Sequence, residues 1–257
     1  MTPPHAGSYG DTISSERPVA PARPTQQEHN GAPNGTTNFI NGIPAWTIVL
    51  AGVCDDKTQI GIIFDACHDE CFVAISGMGT RLNDTLLQKL SASSLADGSV
   101  GVGFSNRVTP RGVKKAVGKI LDAGGVFHRN ASGALSLAYV ADGRLLGYTE
   151  EHMNAWDCLA GQLLVAEAGG GFEIQSADAM ITQGGRVVVG APSIFEALIA
   201  ISDQAYAFLS GRQQNRPLFK KPKSDLLPNG KRVINIFMHR KNLAALHRKR
   251  ILLSLIH

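Results

Sequence analysis

Three short apolar stretches rich in β-branched residues stand out first: Ala45 to Val53 (AWTIVLAGV), Gln59 to Phe64 (QIGIIF) and Cys71 to Ser76 (CFVAIS). Polar separators, Asp55–Lys57 and His68–Glu70, divide them. Short runs bounded by turn residues predict an antiparallel meander. Gly77, Gly79 and Asn83 mark a further turn, and Val100 to Phe104 reads as another strand. From Pro110 the period becomes helical and runs to about Ala123, with Val113, Val117 and Ile120 on one face. Val126–His128 reads as a short strand. Ser132 caps a helix carrying Leu135, Ala138 and Ala141. Arg144–Thr149 is strand-like, and Asn154 caps a helix carrying Leu159, Leu163, Leu164 and Ala168, which Gly169–Gly171 stop. Phe172–Ile174 and Arg186–Val189 are predicted strands, and Pro192 to about Leu209 a last helix. Early hairpins followed by mixed elements predict a layered α/β architecture rather than a simple doubly wound sheet. No internal repeat is visible.

The flanks follow different rules. Residues 1–33 hold six of the twelve prolines and no Leu, Phe or Trp. Such a segment buries too little apolar area to offset its ordering entropy, so disorder is expected there. The net charge of +4 over 257 residues hides a split. Residues 1–211 carry 13 Lys/Arg against 20 Asp/Glu, whereas residues 212–257 carry 12 Lys/Arg and one acid, Asp225. An acidic body at 34–210 therefore carries a basic tail at 211–257. The tail contains one weakly amphipathic helical patch, Asn242 to Leu253, and no pattern that ties it to the body's core. Its clusters, such as Lys220-Lys221-Pro222-Lys223, give electrostatic attraction without specificity, so a nucleic-acid partner is not expected.

No apolar run reaches the ~18–20 residues of a membrane helix, and no secretory leader opens the chain. Cys54, Cys67, Cys71 and Cys158 are too few for a disulfide scaffold at this size. Reduced thiols and a cytoplasmic location are expected.

Several motifs carry candidate chemistry. In Asn34-Gly35-Thr36-Thr37-Asn38-Phe39, a glycine and two hydroxyl residues suit a tight turn into a helix. Backbone N–H groups there can bind phosphate; a plain capping turn fits as well. Asp157, beside Trp156 in a first helical turn, is favoured by the helix dipole and can ligate a hard cation, or simply stabilise the helix end. Ser132-Gly133-Ala134 is a second small-residue helix start that admits a polar ligand or merely packs tightly. Glu150 and Glu151 can accept hydrogen bonds from a polyol or sit in a solvated turn. Cys67-His68-Asp69-Glu70-Cys71 lacks the spacing of a zinc site and reads as a hairpin turn.

Together these pieces resemble the inositol monophosphatase family. The resemblance rests on Gly35-Thr36-Thr37-Asn38-Phe39-Ile40-Asn41-Gly42-Ile43-Pro44, Ile60-Gly61-Ile62-Ile63-Phe64-Asp65 and Asp69-Glu70-Cys71-Phe72 with Gly77-Met78-Gly79. Ser132-Gly133-Ala134-Leu135, Ala138-Tyr139-Val140-Ala141-Asp142-Gly143-Arg144, Trp156-Asp157-Cys158-Leu159-Ala160-Gly161 and Glu167-Ala168-Gly169-Gly170 follow in the family's order. The resemblance covers about residues 34–201. It implies a layered αβαβα sandwich, here lacking its N-terminal part and with disordered ends. It divides the body into an incomplete first lobe, 34–107, and a second lobe, 108–210. It further implies a homodimer and magnesium-dependent hydrolysis of the phosphate monoester of a small polyol or sugar. By resemblance, Thr36 and Asp157 are the catalytic residues and Asp157, Thr36 and Asn34 the metal ligands. Gly35, Thr37, Ser132, Gly133, Glu150 and Asp157 form the substrate side.

The chain also departs from the family. The family's Asp-Pro-x-Asp-Gly-Thr-Thr frame reads Gly31-Ala32-Pro33-Asn34-Gly35-Thr36-Thr37, so both metal-binding carboxylates are replaced. The upstream Gly-Glu-Glu motif is not recognisable in residues 1–33, where Glu16 and Glu28 stand in other contexts. A reading-frame change at each junction is one account of so abrupt a loss. A stripped carboxylate shell implies impaired catalysis, since a divalent ion needs several hard oxygen ligands. The alternative is a noncatalytic remnant that binds a phosphate or polyol ligand, or dimerises with an intact homologue.

Overall fold

The computed structural model describes residues 35–92, 94–206 and 232–235. Its first element is a short helix, α1 (Thr36–Ile40), entered through Gly35 at a left-handed φ of 86°. The meander follows as β1 (Thr47–Cys54), β2 (Lys57–Asp65) and β3 (Glu70–Ile75), continued by β4 (Thr80–Leu82) and β5 (Thr85–Leu86). The β1–β2 hairpin closes on Asp55 and Asp56, both at positive φ, which is the geometry a two-residue turn demands. The Cys67–Cys71 stretch is the turn between β2 and β3, and all four cysteines are free thiols.

A second sheet is built from β6 (Ser99–Val102), β7 (Val126–His128), β8 (Gly147–Met153), β9 (Gly171–Phe172) and β10 (Gly185–Gly190), in the order β7-β6-β8-β10-β9. Strand β6 is parallel to both β7 and β8, and the other pairings are antiparallel. The remaining helices are α2 (Pro110–Asp122), α3 (Gly133–Ala141), α4 (Ala155–Glu167), α5 (Ala177–Gln183) and α6 (Pro192–Tyr206).

Side-chain patterning explains the layering. Helix α4 buries most of its circumference, from Ala155 to Val165, so it must be covered on both sides. It lies with α3 between the two sheets, against Ala51, Val53, Ile63, Phe72 and Ala74 of the first and Val187 and Val189 of the second. Full burial of side chains such as Leu137 and Leu164 contributes roughly 1.5–3 kcal/mol each. Helix α2 buries Gly112, Ala116 and Ile120, four residues apart, and packs with α6 on the far side of the second sheet. The described residues thus stack as sheet, helices, sheet, helices, which is four of the five layers of an αβαβα sandwich.

Four differences from the sequence reading have physical causes. Strand β8 runs on to Met153, so Glu150 and Glu151 lie in a strand and not in a turn. Burial and a specific partner for Glu150 override the poor strand propensity of glutamate. Strands β4 and β5, three and two residues long, and the seven-residue α5 are too short to show a period. The basic tail was expected to have no link to the body, yet its Arg232–Asn235 forms a strand, β11, antiparallel to β1 with Leu50 opposite Asn235 and Val53 opposite Arg232. Backbone ladder bonds at a sheet edge need no apolar pattern. The expectations for residues 1–33, for Asn34 and for Asn242–Leu253 fall outside the described residues.

Candidate active site

The candidate residues come from four neighbouring elements. Gly35 opens α1, Ser132 and Gly133 open α3, Glu150 lies on β8, and Asp157 sits in the first turn of α4. Asn38, buried in α1, ties the first two together. Its Nδ2 donates to the carbonyls of Ala45 at 2.6 Å and of Asn130 at 2.7 Å. A Cβ placed on Gly35 would stand 3.5 Å from Ser132 Oγ, so the two turns touch. Asn130 then organises the α3 entrance: its Oδ1 accepts from Ser132 N at 2.9 Å and Ser136 Oγ at 3.0 Å. Ser132 Oγ accepts from Leu135 N, which is the N-cap bond its position predicts.

A cleft with some 220 Å³ of empty space, counting its open mouth, lies beside these turns. Ser132, Gly133, Tyr148, Glu150, Arg129 and Phe104 are among the residues that line it. Glu150 is 2% exposed, and Tyr148 Oη donates to its Oε2 at 2.5 Å. Side chains two apart on a strand share a face, which is why both reach the same cleft. Gly103 backs this pair, because a side chain there would collide with both.

Burial pushes Glu150 up to about 7. The Tyr148 hydrogen bond opposes that shift, Asp157 adds to it, and the charges of Arg129 and Arg107 pull it back. Asp157, 7% exposed, is pushed up to about 6 by burial, against the Asn154 hydrogen bond and the charge of Arg107. The Asn154 amide is oriented by its neighbours: with its oxygen toward Arg107 it accepts from Nη1 and Nη2, 3.1 Å each. A run Arg107–Asn154–Asp157 therefore links a surface turn to the start of α4.

The structure brings Gly35 to Ser132, and Ser132, Gly133 and Glu150 to one cleft. It places Thr36 and Thr37 on α1 beside Gly35. Among the described residues, neither threonine hydroxyl is hydrogen-bonded to Asp157 or Glu150. Tyr148, Arg107, Arg129 and Asn130 were missed in the sequence. Only Tyr148 carried a signal, being two residues from Glu150 on an alternating strand.

A resident magnesium ion requires several hard oxygen ligands in near-octahedral array. Among the described residues, no group of three or more His, Cys, Asp or Glu could hold a metal ion. Around Asp157 and Glu150 the partners are a tyrosine hydroxyl, an amide and guanidinium charge. This donor set does not fit a resident divalent ion. The chemistry the described residues do support is hydrogen bonding to hydroxyls and charge attraction to an anion. With its pKa raised to about 7, the Glu150 carboxyl group is able both to donate and to accept a hydrogen bond near neutral pH.

Comparison with known proteins bears on the family and the fold. The model of the inositol monophosphatase family matches residues 34–206. The chain is 34% identical over 170 residues to the Nus factor SuhB of Escherichia coli K12, covering 65% of this chain and 63% of that protein. It is 34% identical over 172 residues to the inositol-1-monophosphatase of Mycobacterium leprae, covering 65% and 59%. Among solved structures, the inositol monophosphatase from Anabaena (Nostoc) sp. PCC 7120 superposes with a TM-score of 0.60 at 30% identity, over 66% of this chain and 69% of that one. The extragenic suppressor protein SuhB from Bartonella henselae superposes with a TM-score of 0.61 at 28% identity, over 66% of both. The chain spans under two thirds of the length of the curated relatives it matches. Among the described residues, no helix is long and apolar enough to cross a membrane.

Proposed function

Because the chain belongs to the inositol monophosphatase family, we propose that its cleft binds the phosphate monoester of a small polyol or sugar and hydrolyses it poorly. The observation that carries this reading is the convergence of Ser132, Gly133 and Glu150 on one cleft beside the Gly35 turn. Glu150, with its pKa near 7, takes the ligand's hydroxyls, and the small residues at the two turns let an anion approach backbone N–H groups. Gly35 and Thr37 are assigned to the phosphate end, Ser132, Gly133 and Glu150 to the polyol end. Asp157 and Thr36 keep the family's catalytic positions, and Asp157 is tied to the cleft through its electrostatic coupling to Glu150.

Poor hydrolysis follows from the misfit of the donor set to a divalent ion. Without such an ion nothing on the described residues neutralises the leaving oxygen as strongly. Phosphate release from inositol 1-phosphate, with and without added magnesium, tests the reading. The expected result is saturable binding with little release. Turnover above ~1 per second would contradict the impaired half of it.

Family membership favours a second role, pairing with another copy or with an intact homologue. Size-exclusion chromatography of a mixture with a full-length family member checks this, and two independent peaks would exclude it. The expectation against a nucleic-acid partner finds no support in relatives that carry the name Nus factor.

A further inference from the structure

The first sheet is apolar on both faces. Its inner face gives Ala51, Ile63, Phe72 and Ala74 to the core, under α3 and α4. Side chains alternate along each strand, and the pairing register carries that alternation across the sheet. The outer face therefore presents Ile48 beside Phe64 beside Cys71, and Leu50 beside Ile62 beside Val73. An antiparallel sheet with one face in water alternates apolar with polar residues, so this sheet needs cover on its outer side too. Leu50, Ile62 and Val73 are only half-buried, whereas Ile63, Phe72 and Ala74 are fully buried. Among the described residues, the outer cluster is made by side chains of β1, β2 and β3 with Trp46 and Ala66. Trp46 meets Phe39 of α1 edge-on, ring centroids 4.9 Å apart, and its Cα lies 3.4 Å from a Cβ placed on Gly35. Cover for this face thus also backs the Gly35 turn.

The chain itself brings apolar residues to the edge of this sheet. Strand β11 runs antiparallel to β1, with Arg232 opposite Val53 and Asn235 opposite Leu50, so residues 236–257 start at that edge and head toward the Ile48 row. These 22 residues hold ten Ile, Leu, Phe or Met, no Pro and no Gly. They carry five Lys/Arg and no acid, opposite in sign to residues 1–211 with 13 Lys/Arg and 20 Asp/Glu. Residues 1–33, without Leu, Phe or Trp, offer far less to an apolar face. Residues 236–241 reach about 20 Å when extended, enough to turn back across three strands spaced about 4.8 Å apart. A helix over 242–253 would be about 18 Å long, close to the span of about 20 Å for the six-residue β3. We propose that residues 236–257 pack on the outer face of the first sheet, apolar residues on the two rows and Lys and Arg side chains toward solvent and the acidic body. The strand pairing of β11 makes that docking intramolecular.

Hydrogen exchange and photo-cross-linking of the full chain test this. Amides of residues 242–253 should exchange roughly tenfold or more slowly than an unstructured peptide. A benzophenone side chain introduced as Leu246→p-benzoylphenylalanine should cross-link within one chain, to the peptides that carry residues 58–75. Because position 246 lies outside the body's core clusters, the variant should keep the parent's circular dichroism. L246D should return residues 242–253 to the unprotected rate. Unprotected exchange in the parent, or a cross-link to any other part of the body, overturns the proposal. A cross-link between two copies overturns it in favour of docking by a second chain. Protection gained only on adding phosphatidylglycerol vesicles overturns it in favour of a lipid surface.

Discussion

Tyr148 and Glu150 project from alternate positions of β8 into the same cleft, and the tyrosine hydroxyl donates to Glu150 Oε2 across 2.5 Å. That bond favours the ionised carboxylate against a burial that disfavours it.

Removing the hydroxyl with Y148F should therefore raise the Glu150 pKa above its value of about 7. It should also cost roughly 0.5–1.5 kcal/mol of stability, the net worth of one hydrogen bond. Carboxyl-carbon NMR titration of Glu150 reads the first effect. A pKa that falls, or stays put, would show that the bond does not favour the charged form.

Stability should depend on pH through the same carboxylate. Its folded pKa, about 7, lies above the ordinary glutamate value of 4.5, so the folded state holds the proton more tightly than the unfolded chain does. That contribution is fully present below about pH 4.5 and is lost as pH rises through 7. Asp157 and Asp142, both pushed up to about 6, act with the same sign, while Glu70, held down by Arg144, acts against it. Comparison with E150Q isolates the Glu150 share. Relative to the parent, the variant should gain on the order of 3 kcal/mol between pH 5 and pH 8. Urea unfolding at the two pH values checks this, and parallel curves for the two proteins would contradict it.

The close contact of the first sheet with α4 makes a sharper packing test. A Cβ on Gly61 would lie 2.7 Å from the carbonyl oxygen of Ala160, which is backbone and cannot swing away. G61A should cost about 1–3 kcal/mol, with a drop in Tm of roughly 2–4 °C per kcal/mol. G52A, on the neighbouring strand, meets nothing nearer than Ile60 Cβ at 3.6 Å and should be near neutral. Equal melting temperatures for the two variants would refute the close approach.

The turn after β3 is fastened by one carboxylate. Glu167, the last residue of α4, accepts from Gly77 N at 2.8 Å and Gly79 N at 2.9 Å. E167A should speed amide hydrogen exchange at both glycines while leaving the cleft unchanged. Unaltered exchange there would mean the turn holds its shape without the carboxylate.

Much of this architecture is legible in the chain because each signal is local. The apolar run Ile48, Val49, Leu50 and Ala51, the Asp55-Asp56 turn and the Ser132 cap each state their geometry within a few residues. The family resemblance picked out Ser132, Gly133 and Glu150, which the fold does bring together. The Arg107–Asn154 contact was not legible, since Arg107 sits in an aperiodic turn and its partner lies 47 positions on. Glu150 could be read as a solvated turn because nothing local announces a buried glutamate, whose environment is made by Tyr148, Gly103 and Asp157 at once. The β11 pairing was hidden for the same reason, as a ladder at a sheet edge is made by backbone and leaves no mark in the side-chain pattern.

Amide chemical-shift mapping of the full chain with inositol 1-phosphate tests the ligand-binding cleft most directly. The expected outcome is saturable perturbation centred on Gly35, Ser132, Gly133 and Glu150. Perturbation confined to α5 and α6, or none at millimolar ligand, would contradict it.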